Sequence, residues 1–198
     1  MSSLSDRIME YAETFPEGAP LGARLFLHLG NRSAIDHALL RLTRQNRLIR
    51  IFQGMYVRTI DTRFGKRGPG IQKVIDALQD LWGQTIVPFG GSAASLLGLI
   101  REVPVRRVYL TSGPDRQLSF QTVKVDLRHA PRWQLVAPYR PAGTLIRALV
   151  FLGPREAETA LGLVVPELSD EDLAELLSVR SRMPLWIAEP LSAYVKRH

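Results

Sequence analysis

The 198-residue sequence contains no cysteine, which excludes disulfide bonds and metal sites built on thiolates. No apolar stretch approaches the roughly 20 residues that a membrane-spanning helix requires. Residues 1–15 mix charges into their apolar pattern, so they do not have the pattern of a secretory signal peptide. These absences predict a cytoplasmic protein without membrane contact.

The chain also lacks the residue spacings of common catalytic and metal sites. The pair Gly90–Gly91 before Ser92 has neither the P-loop lysine nor the three glycines of a dinucleotide fingerprint, so a simple turn is the favoured interpretation. Acidic residues at 170–175 are interpreted as the solvated start of a helix. The four histidines share no ligand spacing: His28, His37, His129 and His198. We therefore expect no enzymatic activity, no metal ion and no cofactor.

Positive charge is concentrated in one segment of the chain. Residues 31–67 contain nine basic and two acidic residues, so this segment alone accounts for the formal net charge of +7. A polyanionic partner would meet this segment and not the protein at large. The alternative is a basic face that is merely solvated.

Helical spacing of apolar residues predicts three helices in the first 46 residues, over 4–15, 20–29 and about 33–46. Gly30 ends the second helix, and Ser33 is a suitable N-cap for the third. Two helices joined by such a short turn indicate a helix-turn-helix, whose second helix enters the major groove of DNA.

The polar face of the third helix carries the side chains expected to face DNA. Arginine can bond guanine through two hydrogen bonds, and aspartate can accept one from cytosine. Asp36 can instead cap the helix or orient Arg32, and His37 fits an ordinary surface histidine. Arg44 and Arg47 lie further along and are expected at phosphates. The residues expected nearest the bases are Arg32, Ser33, Asp36, His37 and Arg41.

Two strands, residues 48–52 and 55–58, follow this helix and are joined by a turn at Gln53–Gly54. This hairpin is the expected wing of a winged helix-turn-helix, positioned by backbone contacts from Arg50, Gln53 and Arg58. Residues 61–70 form a glycine-rich basic loop interpreted as a linker. Its cations either extend the phosphate contacts or are simply solvated: Arg63, Lys66 and Arg67.

The second half of the chain predicts a mixed domain of helices and short strands. Helices are expected at 72–82, 93–97, 142–152, 155–163, from Ser169 and from Pro184, and strands at 85–88, 106–111 and 122–127. The predicted fold is α+β. It comprises a winged helix-turn-helix (1–60), a basic linker (61–70) and a mixed α/β C-terminal domain with a small sheet and several helices (71–198).

Two blocks resemble a known family. The first pairs the helix segment ALLRL at 38–42 with the wing FQGMYV at 52–57, and the second pairs GSAASLLGL at 91–99 with VYLT at 108–111. Together they resemble the AbiE-type antitoxins of type IV toxin–antitoxin (abortive infection) systems. The resemblance covers most of residues 4–150.

This resemblance implies a DNA-binding antitoxin that represses its own operon at inverted repeats. It also implies a functional partner, a nucleotidyltransferase-like toxin that the antitoxin counteracts without a stable complex between the two. The C-terminal domain is shorter than in some members of that family. Two alternatives therefore stay open: a stand-alone transcriptional regulator, and a winged-helix module that binds only proteins.

Overall fold

The computed structural model describes residues 2–101 and 107–197 and has mixed α and β structure, as predicted. Residues up to 84 group with residues 117–125 into one compact unit, and the other described residues form a second unit. The domain limits at residues 60 and 70 stay a prediction, because the two units are defined by spatial proximity and not by independent folding. None of the described helices is long and apolar enough to cross a membrane.

The first unit has a core beneath its first two α-helices. Ile8, Phe26, Leu39 and Leu42 are fully buried in it. Its elements are α1 (Leu4–Ala12), β1 (Leu21–Gly22), a 3-10 turn (Ala23–Phe26), α2 (Arg32–Arg44), β2 (Leu48–Phe52), β3 (Met55–Arg58), β4 (Ile60–Thr62), β5 (Gly65–Arg67) and α3 (Ile71–Trp82).

The helix predicted over residues 20–29 is wrong. Leu21 pairs with Tyr56 in an antiparallel ladder, and a 3-10 turn follows the two-residue strand. Pro20 and Gly22 are poor helix formers, so the strand pairing prevails over the helical spacing of the leucines. The apolar side chains are still used, since Leu21 and Phe26 are buried.

Helix α2 lies where the third helix was predicted, but a different residue caps it. The Asn31 side-chain oxygen accepts a hydrogen bond from the Ala34 amide at 2.9 Å, and Ser33 lies inside the first turn. The predicted buried face is confirmed. It consists of Ile35, Ala38, Leu39 and Leu42.

The hairpin predicted after α2 is confirmed. Strands β2 and β3 pair antiparallel, with Ile49 opposite Val57, and Gly54 adopts the positive φ of 67° that the turn requires. Strand β1 adds to the other edge of β3, which gives a three-stranded sheet of order β1-β3-β2.

Residues 61–70 are not an irregular loop throughout. Strands β4 and β5 form an antiparallel hairpin in which Ile60 faces Arg67 and Thr62 faces Gly65. The high glycine and charge content concealed these strands, because neither has a buried face to produce an alternating apolar pattern.

From residue 86 onward, the elements are β6 (Ile86–Pro88), α4 (Gly90–Leu96), β7 (Arg107–Thr111), β8 (Arg116–Phe120), β9 (Val123–His129), α5 (Pro141–Leu152), α6 (Ala157–Val164), α7 (Asp170–Ser178) and α8 (Leu185–Arg197). The four strands form a sheet of order β6-β7-β9-β8. Strand β8 was not predicted. Arg106, the predicted first residue of a strand, and His198 lie outside the described residues.

The glycine pair at 90–91 does not form a turn. Both residues lie inside α4 and are buried, and Phe89 occupies the N-cap position of this helix. A Cβ added to Gly90 would overlap the carbonyl oxygen of Arg147 and the Cβ of Phe151 in α5. The absence of a side chain at Gly90 therefore lets α4 pack against α5.

The acidic start of α7 is confirmed as a helix N-terminus, with Ser169 as its N-cap. It is not a simple solvated cluster, however. Arg140 forms ion pairs with Glu171 at 2.6 Å and with Asp172 at 3.0 Å, and Glu175 lies 3.6 Å away. Sequence reasoning missed this partner because it lies about thirty residues before the cluster.

Candidate nucleic-acid interface

Helix α2 separates its side chains into two faces. The buried stripe holds the helix against the core, which leaves the opposite face in solvent. All of the side chains predicted to meet DNA from this helix are on the exposed face: Arg32, Ser33, Asp36, His37, Arg41 and Arg44.

Arg32 and Asp36 act as a pair on this face. The Arg32 Nε atom donates a hydrogen bond to the Asp36 carboxylate at 2.9 Å across one helical turn. Of the roles open to Asp36, orienting Arg32 is the one that the structure shows, since Asn31 performs the capping. Both side chains are more than half exposed, so the ion pair itself adds little stability.

Among the arginines predicted to contact DNA from α2 and the β2–β3 hairpin, three are exposed and have no side-chain hydrogen bond or ion pair within the described part of the chain: Arg41, Arg44 and Arg50. Arg41 and Arg44 lie one turn apart on α2, and Arg50 points out of β2, between buried neighbours. An unpaired guanidinium keeps all five N–H donors available for a carboxylate, a phosphate or a base edge. His37 and Gln53 are likewise exposed.

Arg47 and Arg58 are less available than predicted. Arg47 is only 32% exposed, and its Nη1 atom donates to Asp6 of α1 at 3.1 Å. The pKa of Asp6 is lowered, first by the Ser3 hydroxyl and then by Arg47. Arg58 is half-buried on β3. Asp6 and Arg47 are 41 residues apart, so no local pattern could have revealed their contact.

The cations of the β4–β5 hairpin are exposed but mostly engaged with near neighbours. Arg63 lies over the ring of Phe64, 4.6 Å from its centre, and Lys66 pairs with Asp61 at 2.6 Å. Arg67 donates to the carbonyl oxygen of Gly68 at 3.2 Å. These contacts are exposed and local, so a stronger anion can replace them at small cost.

A cavity of about 740 Å³ lies in the second unit, lined in part by His129, Arg132 and Trp133. None of the residues predicted to contact DNA lines it. Among residues 2–101 and 107–197, no group of three or more histidine, aspartate or glutamate side chains is arranged to hold a metal ion.

A protein-family model matches residues 7–182, nearly the whole chain. The chain belongs to the DUF6088 family. This family is described as one of unknown function, so membership leaves the role of the exposed arginines to be inferred from the molecule. No curated protein and no solved structure matches this DUF6088 chain.

Proposed function

We propose that residues 1–60 form a winged helix-turn-helix that binds duplex DNA. The element order α1, β1, 3-10 turn, α2, β2, β3 supports this proposal, together with the sheet order β1-β3-β2. In this interpretation α2 is the recognition helix and the β2–β3 hairpin is the wing. The 3-10 turn at Ala23–Phe26 takes the place of the first helix of the helix-turn-helix.

The observation that carries the proposal is the pair of exposed, unpaired arginines on the open face of α2. Arg32, which Asp36 orients, lies on the same helix, and both Arg32 and Arg41 are assigned to base edges in the major groove. Arg44 and Arg50 are assigned to phosphates, which fix the position of the helix without reading sequence. The segment 31–67 supplies the whole net charge of the protein for this contact.

The biological setting that we propose is that of a type IV antitoxin. This part rests on the resemblance of residues 38–57 and 91–111 to AbiE-type antitoxins. The protein would repress its own operon by binding inverted repeats and would counteract a nucleotidyltransferase-like toxin without a stable complex. Such a function requires the cytoplasm, where the DNA lies.

Titration of labelled duplexes with the intact protein tests DNA binding. The duplexes are the region upstream of its own gene and a mixed-sequence duplex of equal length. We expect the upstream duplex to bind at least about 10³-fold more tightly at physiological salt. With about four phosphates neutralised, log K should fall with log salt with a slope of roughly −4.

Absence of binding to either duplex would contradict DNA binding and favour the module that binds only proteins. Equal binding to both would contradict operator recognition. The antitoxin role is tested separately, by co-expression with a nucleotidyltransferase-like neighbour gene. If this protein does not restore growth while the upstream duplex still binds, the stand-alone regulator is the correct alternative.

A further inference from the structure

The β4–β5 hairpin is a two-stranded arm. Strands β4 and β5 pair only with each other in the described part of the chain. Every residue of β5 is exposed, and β4 has no buried residue. A hairpin without a buried face gains little from packing, so the contacts at its base must hold it in place.

Both ends of the arm are anchored to the body of the first unit. Before β4, Thr59 is buried, and its hydroxyl donates to the carbonyl oxygen of Asn46 at 2.9 Å, just after the end of α2. After β5, the Gly70 amide donates to the side chain of Glu17 at 3.2 Å, and Lys73 forms an ion pair with the same carboxylate. The arm therefore begins and ends at fixed points, and its root is tied to the C-terminal end of α2.

The tip of the arm is ordered. Thr62 faces Gly65 across the turn, and the Thr62 hydroxyl donates to the Gly65 carbonyl at 2.7 Å and accepts from the Phe64 amide at 3.2 Å. Gly65 has a φ of 101°, which a residue with a Cβ rarely adopts. Arg63 and Phe64 are the two residues carried at this turn.

Phe64 is 86% exposed, more than any other large apolar side chain described as exposed. Burying such a ring would stabilise the protein, and the fold forgoes this gain. Its immediate neighbours are cationic: Arg63 lies over the ring, and Lys66 and Arg67 follow in β5. An apolar ring stacked against Arg63 on a basic hairpin matches a ligand that is anionic outside and apolar within, which describes the phosphates and stacked bases of a duplex.

We propose that Phe64 is a wedge that inserts between base pairs of DNA from the minor groove, while Arg63, Lys66 and Arg67 contact the flanking phosphates. This inference rests on the proposed function, because α2 would bring the same duplex to the arm. Insertion partially unstacks one base step and kinks the DNA. Flexible TA steps are the sites at which this deformation costs least.

The test uses the full-length protein and a 30-base-pair duplex from the upstream region that carries 2-aminopurine beside a TA step. The fluorescence of this base rises when it unstacks. We expect the wild-type protein to raise the signal several-fold at saturation and Phe64→Ala to abolish the rise while weakening binding about tenfold. Phe64→Leu should restore part of the rise, because leucine is also an apolar wedge.

Leu81→Ala is the matched control, since Leu81 is an exposed apolar residue in α3 of the same unit. It should behave as the wild type. Because Phe64 makes no core contact, the melting temperature of Phe64→Ala should equal that of the wild type, which excludes misfolding as the cause.

Each other outcome has a defined meaning. If Phe64→Ala binds and raises fluorescence like the wild type, the wedge is overturned while DNA binding stands. If the wild-type protein binds no duplex, the proposed function fails and the wedge fails with it. Phe64-dependent sedimentation with vesicles of anionic phospholipid, without a fluorescence change on DNA, would overturn the wedge in favour of a membrane contact.

Discussion

The arginines of helix α2 and those around helix α5 have opposite roles. On α2, the side chains of Arg41 and Arg44 are exposed and have no partner in the described structure. They can therefore bind a ligand without disturbing the core. In the second unit, Arg140 and Arg147 are occupied by the fold itself. The difference shows that the presence of an arginine in the sequence does not establish that its charge is available to a ligand.

Arg147 shows how completely a charge can be enclosed. It is 2% exposed, its Nη2 atom donates to the Pro138 carbonyl at 3.0 Å and to the Thr144 hydroxyl at 3.3 Å, and its Nε atom has no partner among the described residues. Burial lowers the pKa of Arg147 to about 10. The guanidinium is therefore still charged at neutral pH and holds the segment before α5 through neutral oxygens.

Arg140 is occupied in a different way, by the carboxylates of α7. The pKa of Asp172 is lowered mainly by the Ser169 hydroxyl and also by Arg140, although burial acts in the opposite direction. This lowered pKa stabilises the fold above the pKa of an unfolded aspartate and is lost as pH falls through the folded value. Arg140 thus joins the start of α5 to the start of α7, and it is not free for a ligand.

The largest expected effect on stability is at Gly90, which lies beside the backbone of Arg147. Gly90→Ala should destabilise the protein by about 3 kcal/mol, because the new methyl group overlaps α5. Gly162→Ala is the matched control in α6, where a Cβ meets nothing within 4 Å. It should stabilise the protein by roughly 0.5–1 kcal/mol, since alanine favours the helix. Chemical denaturation measures both changes.

Equal effects of the two alanines would contradict the close packing of α4 on α5. They would instead mean that a side chain at position 90 is accommodated without displacing α5. The result therefore decides whether the glycine pair belongs to the core of the second unit.

Substitution of Arg147 should cause a smaller loss of stability. Arg147→Ala should lower the free energy of unfolding by about 2–3 kcal/mol, because it leaves a cavity and removes the donor to the Pro138 carbonyl. Arg147→Met fills most of the same volume and removes the buried charge. It should therefore lower the free energy of unfolding by roughly half as much as Arg147→Ala does. Thermal and urea unfolding provide the measurement. Equal losses in the two variants would show that the charge and its hydrogen bonds, and not the packing, are what the site requires.

The elements of the fold differ in how well the sequence predicts them. The α2 helix and the β2–β3 hairpin were predictable because both have one buried face, which gives apolar residues at helical or alternating spacing. The strand at Leu21 and the β4–β5 hairpin were missed because pairing with distant residues and anchoring at the base form them, and neither leaves a local apolar pattern. Strand β8 was missed although Leu118 and Phe120 alternate with exposed residues, because this pattern is only two apolar residues long.

For the charged residues of the candidate site, the local sequence pattern predicts their position but not whether they have a partner. Their position on the open face of α2 follows from the helical period, and the structure agrees for Arg41 and Arg44. Whether a cation is free depends on partners far along the chain. The Asp6–Arg47 contact and the enclosure of Arg147 show this, and neither could be predicted.

The measurement that tests the central claim most directly combines stability and binding for Arg41→Ala. Arg155→Ala, which removes an exposed charge from the second unit, is the control. Both variants should keep the wild-type unfolding free energy within about 0.5 kcal/mol, as is usual for surface substitutions.

We predict that only Arg41→Ala reduces discrimination between the upstream and mixed-sequence duplexes, by roughly 1–3 kcal/mol. Retention of full discrimination by Arg41→Ala, or an equal loss in Arg155→Ala, would contradict the assignment of the open face of α2 to the major groove.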